Sequence, residues 1–309
     1  MKKYIIIFMI LILSKILYCE GEILKVEFDF LKNCNFVYEY KGVNSYILKG
    51  ITNQKVETTG EIFLKVNDFN DKNIYCTVRY KNFITNDPLF DNICLRKFSS
   101  DFEKIDIEVI LNEKGAYIGL KNYEEVRNKL LEYIEEDFKN NMDLKIRKIK
   151  DEIIENVNNK ELFQATYVLE PLIIFNIYGI EINIQNKYTY DAMLPNMLEG
   201  ENFPAKIEIS CIDYDEEKQS SIIFLKSIPE KKEYNRILKE SIKNKTGKII
   251  KDSDLKDFEI DLEYIFEYDM KNKIISKITT KKLATSSFDM KNDESTMSLK
   301  RGIKWKKLI

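Results

Sequence analysis

At 309 residues and 36.7 kDa the chain can bury a sizeable core, as one large domain or two closely associated ones. Its 49 basic and 51 acidic residues leave a net charge of −2, which excludes the strong positive field of a nucleic-acid binder; 44% hydrophobic content excludes a disordered chain. The sequence contains no histidine, which removes Ser-His-Asp and Cys-His catalysis, histidine-ligated metals and imidazole acid–base chemistry together.

Lys2 and Lys3 precede the apolar run YIIIFMILIL (residues 4–13), the pattern of a secretory signal. Lys15 interrupts that run, and a membrane span needs about 20 apolar residues. Small residues at Cys19 and Gly21 fit cleavage after Gly21, so residues 1–21 are expected to leave an exported chain with no transmembrane span in its mature form. The expected location is the periplasm or cell envelope if the source is bacterial. Tyr18 is bulkier than the residue a lipoprotein signal places before its modified cysteine, and the state of Cys19 stays open.

Residues 22–120 read as an antiparallel β meander. Leu24, Val26, Phe28 and Phe30 alternate, then Phe36, Val37, Tyr38 and Tyr40, then the stretches 46–51, 56–66, 74–80 and 105–111. Gly42, Asn53-Gln54, the cluster 68–73 and Gly115 sit where reversals are expected. Residues 121–170 form the helical segment. Asn122 is the expected N-cap, with Glu125 completing a box-like start. An apolar stripe at steps of three and four then runs from Tyr123 through Val126, Leu130, Ile134, Phe138 and Ile146 to Val157. The weak helix formers Asn140-Asn141 mark the expected break, and residues 160–169 add a short helix before Pro171.

Strand patterning returns over residues 171–309, at 179–190, 205–213 and 220–226. A second helix spans about 229–244, with Pro229 in its first turn and Gly247 beyond its end. Strands at 258–268, 273–283 and 295–306 close the chain. The first carries Phe258, Ile260, Leu262, Tyr264, Phe266 and Tyr268 on one face. The expected class is therefore α+β: a wide antiparallel, half-barrel-like sheet or sheets with the central amphipathic helix packed on the apolar concave face. Residues 22–170 and 171–309 are expected to fold as one cooperative unit.

The strand–Gly–strand–helix stretch 105–138, and PLIIFNIYGIEINIQNKYTY (171–190) followed by the meander 204–226, carry a likeness of layout. This order of elements resembles exported bacterial domains of uncharacterised function whose architecture is similar to the lipoprotein-carrier half-barrels. The resemblance implies an incomplete antiparallel barrel wrapped around a helical plug over an apolar cavity. It covers about two-thirds of the mature chain, without a sharp motif, and carries over no functional residue. The long helix and the second helix depart from the simplest half-barrel plan.

The candidate chemistry is sparse. Asp213, Asp215, Glu216 and Glu217 are expected in a solvated hairpin turn rather than an acid–base pair. Asp68, Asn70 and Asp71, like Asp252 and Asp254, approach calcium-loop spacing but lack its Gly and terminal Glu. No phosphate-binding glycine loop and no C-x-x-C pair occurs, so neither a cofactor nor a metal is expected. Cys34, Cys76, Cys94 and Cys211 are expected as small buried hydrophobes, with disulfide pairing open. The basic tail around Trp305 is expected as a terminal strand, with an anionic lipid or partner contact as the alternative.

Two non-enzymatic functions lead, and an enzyme stands third, requiring a carboxylate or Lys/Tyr pair that converges in a pocket. The first is binding of an apolar small molecule or lipid, lined by Phe28, Phe36, Tyr38, Tyr40, Val126, Leu130, Ile134, Phe138, Tyr264, Phe266 and Tyr268. The second is a structural or interaction module with a solid core and an envelope protein as partner.

Overall fold

A computed structural model describes residues 22–28, 34–48, 51–70, 72–139, 143–168, 173–175, 177–194, 201–247, 249, 251, 259–285 and 289–303. The signal segment, Cys19, Phe30, Asn140-Asn141, Pro171, Asp252, Asp254 and Trp305 lie outside these residues. In chain order the strands begin with β1 (Ile23–Lys25), β2 (Asn35–Leu48), β3 (Ile51–Phe69) and β4 (Asn73–Thr85). Helix α1 (Ile93–Phe102), β5 (Ile107–Asn112), β6 (Tyr117–Leu120), α2 (Tyr123–Phe138), α3 (Leu144–Asn158) and α4 (Lys160–Tyr167) follow. After them come β7 (Glu181–Asn183), β8 (Tyr188–Leu194), β9 (Phe203–Asp215), β10 (Ser220–Pro229) and α5 (Lys231–Thr246). Strands β11 (Glu259–Asp269), β12 (Ile274–Thr285) and β13 (Asp289–Ile303) complete the set. The fold is α+β with antiparallel pairing, in two compact units built around residues 57–179 and 180–297.

The first unit holds the strand order β6-β5-β4-β3-β2. Its alternation converts directly into one-sided burial. Ile62, Leu64 and Val66 on β3, Ile74, Cys76 and Val78 on β4, and Ile107, Val109 and Leu111 on β5 are all buried. Cross-strand register sets them in rows, Leu64–Val78–Ile107 and Val66–Cys76–Val109. Cys34, Phe36 and Tyr38 on or beside β2 are buried as well, and the amide of Val66 donates to the carbonyl of Cys34 at 2.9 Å. Gly42 lies inside β2, and Asn53-Gln54 inside β3; neither is a reversal. These strands run to 14 and 19 residues, because uninterrupted ladder bonding outweighs weak local turn preferences.

Helices cover the buried face, and the apolar stripe is carried by two helices that separate around the expected break. Helix α2 ends at Phe138 and α3 begins at Leu144, where the carboxylate of Asp143 accepts from Lys145 N at 2.7 Å and Ile146 N at 3.3 Å. Asn122 stands at the N-cap position of α2, as expected, but its side chain makes no capping bond. Its Oδ1 accepts from Glu108 N at 2.8 Å and its Nδ2 donates to Asp106 O at 2.9 Å, so it ties the helix start to β5 instead. Glu125 pairs with Lys129 one turn on rather than closing a capping box. Helix α1, which the sequence reading did not anticipate, packs beside α2, and both Cys94 and Phe98 on it are buried.

Rings connect helices to sheet in one series, Tyr40–Phe83–Tyr80–Phe102–Tyr167–Phe163–Tyr123, with neighbouring centroids 5.3–5.7 Å apart. Tyr80 Oη donates to Tyr167 O at 2.8 Å and Tyr123 Oη to Val157 O at 2.9 Å, which satisfies polar tips inside this apolar layer. Gly60 is required here: a Cβ would lie 2.4 Å from the Phe83 ring. The carboxylate of Asp137, buried between the helices, bonds the Lys97 ammonium, which also lies 3.5 Å from Glu136 and 3.8 Å from Asp101.

The second unit holds the order β13-β12-β11-β10-β9-β8 and the small pair β1-β7. Helix α5 lays Tyr234, Ile237 and Leu238 against Phe203 of β9. Gly247 adopts a left-handed φ of 70° and caps it, as expected. Pro229 ends β10 rather than opening the helix, and Glu230 N donates to Pro204 O at 2.8 Å, pinning the turn to the neighbouring strand. Cys34, Cys76 and Cys94 are buried, as expected of small hydrophobes, and Cys211 is half-buried.

Candidate functional site

The first unit's sheet turns its other face outward, and there an open groove of about 770 Å³ lies across β3, β4 and β5. The same period-2 alternation that buries Ile62, Leu64, Cys76 and Val78 delivers Phe63, Lys65, Tyr75, Thr77 and Arg79 to this face. A register irregularity between Val66 and Asp68 inserts an extra residue, and Asn67 Nδ2 donates to Thr77 Oγ1 at 2.7 Å. Beyond β4, Asp106, Glu108 and Lys121 complete the wall.

The groove's charges are organised in adjacent cross-strand pairs. Phe63 opposes Arg79, and the Arg79 guanidinium grips the Asp106 carboxylate with two bonds of 2.6 Å. Lys65 opposes Thr77, Thr77 opposes Glu108, and Glu108 accepts from Lys121 Nζ at 2.7 Å. Lys121 Nζ also lies 5.6 Å from the centre of the Tyr75 ring, and Lys81 Nζ lies 5.1 Å from that of Phe63. Donating to the Asp106 carboxylate raises the Arg79 pKa, and donating to Glu108 raises that of Lys121, so both cations stay charged. Three cationic side chains (Lys65, Arg79, Lys121) face three carboxylates (Asp68, Asp106, Glu108) among the lining residues. The surface is electrically balanced, rich in fixed donor–acceptor pairs, and carries an aromatic ring toward each end.

The residues read from the sequence as ligand-lining lie elsewhere. Phe28, Phe36, Tyr38, Tyr40, Val126, Leu130, Ile134 and Phe138 belong to the first unit, and Tyr264, Phe266 and Tyr268 to the second. Leu130 and Ile134 have no surface that a water-sized sphere can reach, and Val126, Phe138, Phe36 and Tyr38 have 3% or less. Phe28 and Tyr40 are half-buried; Phe28 lies 5.4 Å from Phe36 and 4.9 Å from Tyr178 between ring centres. Phe36 is the member of that set that also borders the groove. In the second unit Phe266 and Tyr268 are buried, while Tyr264 is half-buried, with a hydroxyl whose pKa desolvation raises.

Of the other sequence candidates, Asp71, Asp252, Asp254 and Trp305 lie outside the described residues, and the acidic cluster at 213–217 falls in and beside a strand turn. Asp215 Oδ1 accepts from Lys218 N at 2.9 Å in the exposed β9–β10 turn, and the Lys218 ammonium lowers the Asp215 pKa. Asn70 Oδ1 accepts from Lys72 N and Asn73 N, so the 68–73 stretch closes on itself as a turn. Phe63 and Tyr75 went unnoticed because each sits beside a stronger core signal. Their outward register, next to Arg79 and Lys65, was the legible clue.

No family model matches the chain, and no curated protein matches it. Among solved structures, one of lipovitellin concerned with its lipid–protein interactions is similar over 89% of this chain, at 8% identity and a TM-score of 0.46. This chain spans about a quarter (26%) of that one. DynF, from the dynemicin biosynthesis pathway of Micromonospora chersina, is similar over 91% of this chain and 87% of its own, at 5% identity and a TM-score of 0.21. At these scores neither likeness carries an argument about function.

Proposed function

We propose that this chain is an exported, non-enzymatic binding protein of the cell envelope, with a solid helix-on-sheet body and a recognition groove on the sheet's outer face. The carrying observation is the contrast between the two faces. The apolar face is filled by the chain's own helices, to zero accessible surface at Leu130 and Ile134, while the opposite face opens a groove lined by two cation–carboxylate pairs and by the rings of Phe63 and Tyr75, with Phe36 at its border. Among the described residues the resolved shifts keep lysines, arginines and Asp215 charged and keep tyrosines and cysteines neutral near pH 7. Export rests on the signal pattern of residues 1–21.

A second reading, an apolar ligand or lipid held by the second unit, is favoured by half-buried Leu225 and Tyr264, which oppose each other across β10 and β11. Native mass spectrometry of the full chain recovered from envelope extracts separates the two. The first reading predicts a mature mass lacking residues 1–21 and no bound lipid. A stoichiometric lipid adduct would transfer support to the second, and an unprocessed cytoplasmic chain would remove export from both.

A further inference from the structure

We infer that the groove on the outer face of β3–β5 binds a neutral oligosaccharide. This rests on the reading of that groove as a recognition surface and names what it recognises. Charge comes first. With lining cations and carboxylates equal in number, an anionic or cationic ligand gains no net attraction, and each approach of one charge meets a carboxylate–cation pair already formed. An apolar ligand would strip water from Arg79, Asp106, Glu108 and Lys121 and return no hydrogen bond to any of them.

A saccharide fits both halves of this surface. Each hydroxyl is donor and acceptor at once, and the Arg79–Asp106 and Lys121–Glu108 pairs set an N–H donor beside a carboxylate acceptor at fixed geometry. One hydroxyl can accept from the cation and donate to the carboxylate without breaking the pair. Pyranose rings also carry a face of C–H bonds, positively polarised, that stacks on the electron-rich face of an aromatic ring. The rings of Phe63 and Tyr75 already attract positive groups, as the ammonium ions of Lys81 and Lys121 show.

Spacing sets the length. Phe63 opposes Arg79, and Tyr75 lies four residues from Arg79 along β4. At about 3.3 Å rise per residue and about 4.8 Å between strands, the two backbone positions are roughly 14 Å apart. One pyranose ring cannot bridge that distance, so the ligand is an oligomer lying along the strands, with Thr77 and Lys65 between the two rings.

The test is calorimetric titration of the full mature chain with cellohexaose, chitohexaose and maltohexaose, alongside hexaglutamate and hexalysine. At least one hexasaccharide is expected to bind, with affinity changed less than about twofold between low and high salt because the ligand is neutral. Phe63→Ala and Tyr75→Ala are each expected to weaken it about tenfold, the loss typical of truncating an aromatic anchor, while Tyr75→Phe stays near wild type. Should either alanine variant fail to fold, Asn67→Ala, which removes a polar lining group without touching the buried face, is expected to weaken binding at least threefold. Sugar binding indifferent to all these substitutions overturns the inference. Tyr75-dependent binding of a charged peptide without any sugar overturns it while leaving the groove as a recognition surface. No binding by any probe removes both.

Discussion

Leu130→Ala tests whether the space between α2 and the sheet is filled or hollow. Leu130 has no accessible surface, and its neighbours on the stripe, Val126 and Ile134, have 1% and none. Truncation removes three buried carbons, worth about 0.8 kcal/mol each in transfer free energy, or about 2.4 kcal/mol. The cavity left behind adds a further penalty, since close-packed neighbours relax only partly, bringing the expected loss to about 3–4 kcal/mol within the usual Leu→Ala range. Urea unfolding followed by circular dichroism should show a lower midpoint with an unchanged slope. At about 2–4 °C per kcal/mol, the melting temperature should fall by roughly 6–15 °C. A loss below about 1 kcal/mol, together with uptake of an apolar dye by the wild type, would show that Leu130 lines a ligand space and would refute the packing argument.

Gly60→Ala should destabilise by about 1–3 kcal/mol, because the new methyl meets the Phe83 ring at 2.4 Å; adding Phe83→Leu should recover most of the loss in thermal unfolding, and full additivity of the two losses would contradict the contact. Asp215 has a folded pKa held below its unfolded value of about 3.9, so its contribution is complete above about pH 4 and is lost as pH falls through the folded pKa. Asp215→Asn should therefore lower stability slightly at pH 7, leave it unchanged below the folded pKa, and so flatten the acid limb of the stability curve; equal losses at both pH values would contradict this. Burial pushes the Cys76 thiol up to about 12, so a maleimide at pH 7.5 should label half-exposed Cys211 first and reach Cys34 and Cys76 only on unfolding; early labelling of Cys76 would contradict its placement.

Much of the fold was legible because burial follows period. The alternation of Ile105, Ile107, Val109 and Leu111, and the three- and four-residue steps of Val126, Leu130, Ile134 and Phe138, each predict the buried face observed. Helix α1 is short, and its signal was overlooked: ICLRKFSSDF spaces Leu95, Phe98 and Phe102 at steps of three and four behind a cap at Asn92, two serines weaken its helix propensity, and packing on α2 supports it. The N-cap position of Asn122 was legible, but not its side-chain bonds, because a local preference for capping gives no sign of the Glu108 amide and Asp106 carbonyl that the side chain serves instead. The site was the least legible part. Aromatic alternation marks a core as readily as a ligand wall, and only register shows that Phe63 and Tyr75 face out while Phe36 and Tyr38 face in.

The account's central claim is that the apolar face is sealed by the chain's own helices and that recognition takes place on the outer one. Titration of the full mature chain with cis-parinaric acid, read by its fluorescence, tests this most directly. The account predicts no saturable rise up to ligand excess, because no water-sized space adjoins Leu130 or Ile134. A saturable one-to-one rise, displaced by an unlabelled fatty acid and altered by Leu130→Ala, would contradict it.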